Sequence, residues 1–278
     1  MKRIRTALCL ILAAALLAGC AFLPSDSEPE TPVPTDPLTG LALEWQGQRP
    51  VAVAIENSTA STTQWGLSLA SVVLEALTEV GTSTELCLVY PALAATPKVG
   101  PVAAGQPVEF VVRRDADAVL SIPALLPQEA DGKLPDATAP DAVNVRVCFD
   151  DDNATGFSYD ADSGLYRMLH ADGTPQLDAN NGQQAGFDNL LVLFSASELR
   201  DDGKTYDYDL SMGGGVWLNG GHLWTITWTQ GRDNTLLLYD ADGRTMNIEA
   251  GTSYIALVTS LTGQELTVTN SSGEEILG

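Results

Sequence analysis

The hydrophobic and polar positions change period part-way along the chain, and each half predicts a different architecture. Val51 to Ile55 is a short apolar, β-branched run of the kind that forms a buried strand. Leu67, Ala70, Val73, Leu74 and Leu77 then recur at helical spacing, with Glu75 and Glu79 interleaved one turn apart, which predicts an amphipathic helix. Ser68 is placed to cap that helix, and Gly81 follows its end. Leu86 to Tyr90 reads as a second strand. Pro107 suits the first turn of a second helix running towards Asp115, and Ala118 to Ile122 reads as a third strand. Strands separated by helices predict an α/β domain over residues 37–127, with a parallel or mixed sheet.

Pro127, Gly132, Pro135 and Pro140 mark a linker over residues 128–142, and beyond it the helical period disappears. Val143, Val145 and Val147 alternate with Asn144, Arg146 and Cys148, and Leu190 to Phe194 forms another apolar run. Tyr159-Asp-Ala-Asp-Ser-Gly164 and Tyr239-Asp-Ala-Asp-Gly243 are turn-rich links between strands. Val216 to Leu218, Asn219-Gly220-Gly221 and His222 to Trp228 read as a hairpin, because glycine permits positive φ in its turn. A largely antiparallel β domain is therefore expected over residues 143–258. Residues 259–278 form a carboxyl-terminal extension in which Leu266 to Thr269 adds a strand. The expected fold class is α/β plus β, an amino-terminal α/β domain of alternating strands and helices followed by the β domain.

The first residues carry a different signal. Lys2, Arg3 and Arg5 precede an apolar stretch from Ala7 to Ala18, too short for a permanent bilayer span and flanked as a secretory signal is. It ends in Leu17-Ala18-Gly19-Cys20, which resembles the lipobox of bacterial lipoproteins. That resemblance implies removal of residues 1–19 and acylation of Cys20 on its thiol and new amino group. Each buried methylene contributes about 0.8 kcal/mol, so two or three acyl chains give stable attachment to the membrane. The alternative is an ordinary signal peptide with a coincidental cysteine. Residues 20–36 carry Pro24, Pro29, Pro32 and Pro34 with Asp26, Glu28, Glu30 and Asp36, the composition of an extended, self-repelling tether. The expected location is the extracytoplasmic face of a cell membrane.

Composition narrows the partners. The formal net charge is −22, and loss of the leader takes three basic residues with it. Such a balance argues against nucleic acid and against electrostatic docking to anionic lipid, and it is common for solvated extracytoplasmic surfaces. Hydrophobic residues make up 45%, a globular composition and not a disordered one. Cys9 leaves with the leader and Cys20 carries lipid, so Cys87 and Cys148 remain. They can form one disulfide or serve as small buried hydrophobes within strands, and both readings stay open.

Candidate chemistry is sparse. His170 and His222 are the only histidines, and neither adjoins a nucleophile motif such as Gly-x-Ser-x-Gly. Asp150-Asp-Asp-Asn153, Asp160-x-Asp162 and Asp240-x-Asp242 lack the full spacing of a calcium loop and read as hairpin turns. Gly213-Gly-Gly215 lacks the Lys-Ser/Thr of a phosphate loop. No metal or cofactor is expected. Glu56 follows the first strand, at the edge where open α/β sheets bind ligands, while Glu75 and Glu79 are expected on a solvated helix face. Trp224 and Trp228 share a strand face with Ile226. Buried, they anchor the sheet core; exposed, they stack against sugar rings of the cell wall.

The order of landmarks resembles a known family. Pro37-Leu-Thr-Gly-Leu41, Arg49-Pro-Val-Ala-Val53, Ile55-Glu-Asn57, Gln64-Trp-Gly-Leu67 and Val99-Gly-Pro-Val102 resemble the amino-terminal domain of YerB-like lipoproteins. Phe157-Ser-Tyr-Asp160, Asp178-Ala-Asn180, Asn189 to Phe194, Thr227-Trp228 and Tyr239 to Gly243 are similar to its second domain. The resemblance spans residues 37–258 and supplies no established catalytic residues. Relatives have arginine near Thr63, near Thr84 or Glu85, and within the stretch matching Val99 to Gln106. Here those arginine forks, suited to carboxylate or phosphate, are gone. The resemblance therefore implies a shortened, divergent member with a reduced polar site.

Three functional expectations follow. The first is a noncatalytic envelope lipoprotein acting through protein contacts. The second is a glycan- or peptidoglycan-binding module, for which Glu56, Asn57, Gln64, Trp224 and Trp228 are the candidate ligand-binding residues. The third is a glycan-processing enzyme built on paired carboxylates.

Overall fold

A computed structural model describes residues 35–43, 50–57, 63–90, 98–102, 106–109, 128–129, 139–232, 234–259 and 266–277. The leader, Cys20, the tether up to residue 34, most of the 128–142 linker and the strand expected at Ala118 to Ile122 lie outside these residues.

The described residues contain no α-helix, so the amino-terminal α/β domain is overturned: the fold is almost wholly β. The stretch read as the first helix is a single 3-10 turn, Leu67–Leu69, followed by the strand Val72–Ala76. The reason is burial on two sides. Val73 and Leu77 face one apolar cluster while Val72 and Leu74 face another, so the segment is apolar without alternation. A central strand of this kind cannot be told from a buried helix by periodicity, and the β-branched pair Val72-Val73 favours the strand. Pro107 lies in the strand Gln106–Glu109, not at a helix start, and residues 110–115 lie outside the described set.

A nine-stranded sheet runs through both halves of the sequence. Its amino-terminal strands are ordered Val51–Glu56, Glu85–Tyr90, Val72–Ala76, each antiparallel to the next. Ser253–Thr259 then pairs parallel with Val72–Ala76 on one side and parallel with Asn189–Ser195 on the other. Met212–Asn219, His222–Gln230, Leu236–Tyr239 and Thr245–Met246 complete it as an antiparallel meander. A strand from late in the chain is thus wedged between the earliest strands and the middle ones.

A second, antiparallel sheet has six strands in the order Gly186–Phe187, Leu165–Leu169, Ala154–Asp160, Asn144–Cys148, Leu266–Thr269, Glu275–Leu277. Leu266–Thr269, expected as a strand in the extension, is therefore integral to it. Between the sheets lies the main core. Val73, Leu86, Leu88 and Tyr254 of the large sheet meet Val145, Val147, Phe157 and Met168 of the small one. The other face of the large sheet holds a smaller cluster of Trp217, Trp224, Trp228, Leu191 and Ile255, on which Leu38 and Ile248 pack. Both faces of the large sheet are therefore apolar, which explains its near-continuous hydrophobic strands.

Because the sheet is continuous across the two halves, damage to early strands should unfold late ones. Leu88→Ala removes a fully buried side chain and should cost about 2–5 kcal/mol. The expected outcome in urea is one transition, with tryptophan fluorescence and far-UV ellipticity moving together to a lower midpoint. Two separated transitions in that variant would contradict the continuous sheet.

Candidate functional site

Glu75 is the most unusual residue of the inter-sheet core. It shares a strand face with Val73 and Leu77 and is 1% exposed, so its carboxyl lies among apolar side chains. Four side chains from separate segments donate to it. Its Oε1 accepts from Thr84 Oγ1 at 2.6 Å, Asn57 Nδ2 at 2.8 Å and Thr155 Oγ1 at 2.9 Å. Its Oε2 accepts from Tyr254 Oη at 2.6 Å and lies 2.9 Å from the same Thr155 hydroxyl. Thr155 belongs to the small sheet, and Tyr254 to the strand wedged into the large one.

Burial pushes the Glu75 carboxyl above its ordinary range, and the bonds from Thr84, Tyr254, Thr155 and Asn57 only partly counter it. Tyr254 is pushed up as well, first by burial and then by the Glu75 charge.

A second layer extends from Asn57. Its Oδ1 accepts from Gln64 Nε2 at 2.9 Å and from Gln176 Nε2 at 3.3 Å, and Gln176 Nε2 also donates to Gln64 Oε1. Alongside, Asp178 is fully buried and stitches two distant stretches together. Its Oδ1 accepts from the Gly66 amide at 3.0 Å, and its Oδ2 from the Ser68 amide and hydroxyl at 3.0 and 2.8 Å. Asn180 bonds the Lys98 carbonyl at 2.9 Å, and Trp65 and Gly100 exchange backbone bonds. Gly66, at φ 90°, leaves room for the Tyr90 hydroxyl, which donates to the Gly66 carbonyl at 2.8 Å; a Cβ there would collide with it.

Chemically, this centre has little free capacity. The Glu75 oxygens are filled by donors, and the open cavities of about 770, 480 and 340 Å³ are lined by other residues. The arrangement clamps segments in register.

Comparison with known proteins agrees with the landmark pattern. Residues 38–143 match the family model described as "Protein of unknown function (DUF3048) N-terminal domain", and residues 144–255 match its C-terminal counterpart. The chain belongs to this family, the YerB-like proteins. A solved structure of YerB from Bacillus subtilis is similar in fold, with a TM-score of 0.65 at 18% identity, covering 84% of this chain and 99% of that one. No match is found among curated proteins.

In this DUF3048 member the candidate residues read from sequence separate into three groups. Asn57 and Gln64 are brought together, at the buried network and not at a surface. Glu56 is exposed and stands opposite Glu85 in the strand pairing, away from that network. Trp224 and Trp228 are 8% and 2% exposed, in the cluster on the far face of the large sheet, with Trp224 stacked on Trp217 at 4.7 Å. Trp228 is sealed in the core, whereas Trp224, stacked on Trp217 on one side, also lines an open cavity of about 480 Å³ with Pro140, Thr225, Asp240 and Arg244. The glycines beside them have a packing role, since a Cβ on Gly213 would fall 2.7 Å from the Trp228 indole nitrogen.

Glu75 and Glu79 do not share a solvated face; Glu75 is buried and only Glu79 is exposed. Ser68 holds Asp178 and caps no α-helix. Cys87 and Cys148 are free thiols. Their sequence neighbours Leu86, Leu88 and Val147 point into the shared core, so alternation turns the two sulfurs outward on different sheets and no disulfide joins them. The Asp150, Asp160 and Asp240 clusters sit in hairpin turns, each bonding nearby backbone amides. Sequence reading missed Glu75, Thr84, Thr155, Gln176 and Tyr254 as a set. The usable signal was a lone glutamate inside an apolar run.

Glu75 should give stability a distinctive pH dependence. Its folded pKa lies above the unfolded value, so its neutral form contributes fully at acid pH. That contribution is lost as pH rises through the folded value. Glu75→Gln, which mimics the neutral acid, should gain stability relative to wild type as pH increases above the usual carboxylate range. Glu75→Ala strands buried donors and should cost about 3 kcal/mol or more at every pH. Urea unfolding at several pH values reads both, and a wild-type-to-Gln difference that is flat with pH would refute the assignment.

Proposed function

We propose that this protein is a lipid-anchored lipoprotein of the extracytoplasmic membrane face and that its β unit is noncatalytic, acting by contact with other envelope components, protein partners foremost. The observation that carries the placement is Leu17-Ala18-Gly19-Cys20 at the end of a short, positively flanked apolar stretch, followed by a proline-rich acidic segment. The noncatalytic reading is supported by the Glu75 carboxyl, whose oxygens are filled by four donors, and by the exposed position of Glu56 opposite Glu85. Burial of Trp228 and the stacking of Trp224 on Trp217 count against a paired stacking platform at those residues.

Lipidation at Cys20 is tested by fractionation and by labelling with an alkyne-bearing fatty acid. Wild type should label and sediment with membranes. Cys20→Ala should lose the label and move to the medium or periplasm, and membrane retention of an unlabelled variant would defeat the anchor.

A further inference from the structure

Two open cavities of about 770 and 340 Å³ adjoin on the outer face of the six-stranded sheet, and Leu169 lines both. Their floor follows from strand register. Thr269, Asn144, Ser158, Arg167 and Gly186 succeed one another across five neighbouring strands. The adjacent row runs Thr267, Arg146, Gly156, Leu169. At the usual strand spacing the trough is about 19 Å long. The 170–185 connection forms its wall, where Gln183 presents a primary amide and Gln184, whose Nε2 donates to the Met168 carbonyl at 2.8 Å, presents its amide oxygen.

Two glycines shape it. Gly156 leaves a gap between Arg146 and Leu169, where a Cβ would come 3.3 Å from the Leu169 Cβ. Gly186 lets the Arg167 side chain lie over it, where a Cβ would meet Arg167 Cδ at 3.2 Å.

The two arginines differ in charge state of their surroundings. Arg167 is paired with Asp160 at 3.4 Å, and Asp160 is itself held by the Ser163 hydroxyl. Arg146 makes no ion pair among the described residues; its Nη1 donates to the Ala171 carbonyl at 2.9 Å. The nearby Asp172 carboxylate is occupied by the Thr174 amide and hydroxyl. His170 also borders the smaller cavity. One guanidinium fork is thus left for a carboxylate, amid hydroxyls and amides that bond sugar hydroxyls. The sheet backbone beneath is already paired, so the face offers no strand-addition site to a peptide.

We propose that this trough binds a linear glycan bearing carboxylate groups, with Arg146 taking a carboxylate and Asn144, Ser158, Gln183 and Gln184 taking sugar hydroxyls. The site refines the contact role proposed above and rests on that contact reading of the β unit, not on the anchor at Cys20 or on the absence of catalysis. It is separate from the tryptophans.

Calorimetry with the full-length chain in detergent tests it, using oligogalacturonate, a neutral dextran oligosaccharide of equal length and polyglutamate as probes. Oligogalacturonate should bind most tightly. Arg146→Gln should weaken it by about tenfold or more, the value of one charge-assisted bond. Ser158→Trp, which fills the trough and leaves Arg146 in place, should abolish binding. Arg200→Gln, in a remote hairpin, should change nothing, and near-UV circular dichroism confirms that each variant is folded. Equal affinity for dextran, polyglutamate matching the uronate, or unchanged affinity in Arg146→Gln would each overturn the proposal. New reducing ends during incubation would defeat the noncatalytic reading while leaving the trough standing.

Discussion

A carboxyl group held between two apolar sheets is the constraint on which the rest of the structure depends. Glu75 would be costly in that position without partners, since an unpaired buried polar group forfeits its hydration. Here Asn57, Thr84, Thr155 and Tyr254 close on it from four separate segments. The bond set specifies arrangement as much as stability. A well-packed apolar side chain could replace a buried polar cluster at small net cost, but it would not demand these four partners. Thr155 must face Glu75 across the sheet interface, and Tyr254 must lie in the strand next to it. The network therefore links the order of strands in the large sheet to the seating of the small sheet.

How much of this was legible in the sequence depended on burial. The hairpin at Val216 to Trp228 was readable because its turn is Gly220-Gly221, and both glycines have positive φ. The Val145 and Val147 strand was readable because one face is solvated and the residues alternate. Val72 to Ala76 was not, because it is apolar towards both clusters and its period resembles that of a buried helix. Glu75 then appeared as a polar residue on a helix face, when it is the sole charge-bearing side chain on that strand and points into the core. Of the candidate site, Asn57 and Gln64 were visible as parts of motifs, while Gln176, Thr155 and Tyr254 carry no local signal. Their roles exist only once residues far apart in sequence are brought together.

The same packing limits where a partner can touch the molecule. The large sheet packs one face on the small sheet, and on the other face Leu38 and Ile248 pack on the tryptophan cluster. Its tryptophans, conspicuous in sequence, are spent on that face. The small sheet has only one face committed to the core, and the alternation of its strands leaves Asn144, Arg146, Ser158 and Arg167 on the other. A contact surface on a regular scaffold is therefore expected on the outer small sheet, where the backbone is fixed by pairing and the side chains are short and polar.

This separation changes what the family resemblance means. Ile55-Glu-Asn57, Gln64-Trp-Gly-Leu67, Val99-Gly-Pro-Val102 and Asp178-Ala-Asn180 lie far apart in sequence, yet they converge. Asn57 holds Glu75 and Gln64, Asp178 holds Gly66, and Trp65 pairs with Gly100. Most of the motif residues are thus occupied in holding strands together. Their presence reports that the architecture is retained, and it carries little information about a ligand. The side chains free to recognise one belong to strand faces under no such structural demand. There Arg146, outside every landmark motif, presents a guanidinium with no ion pair among the described residues.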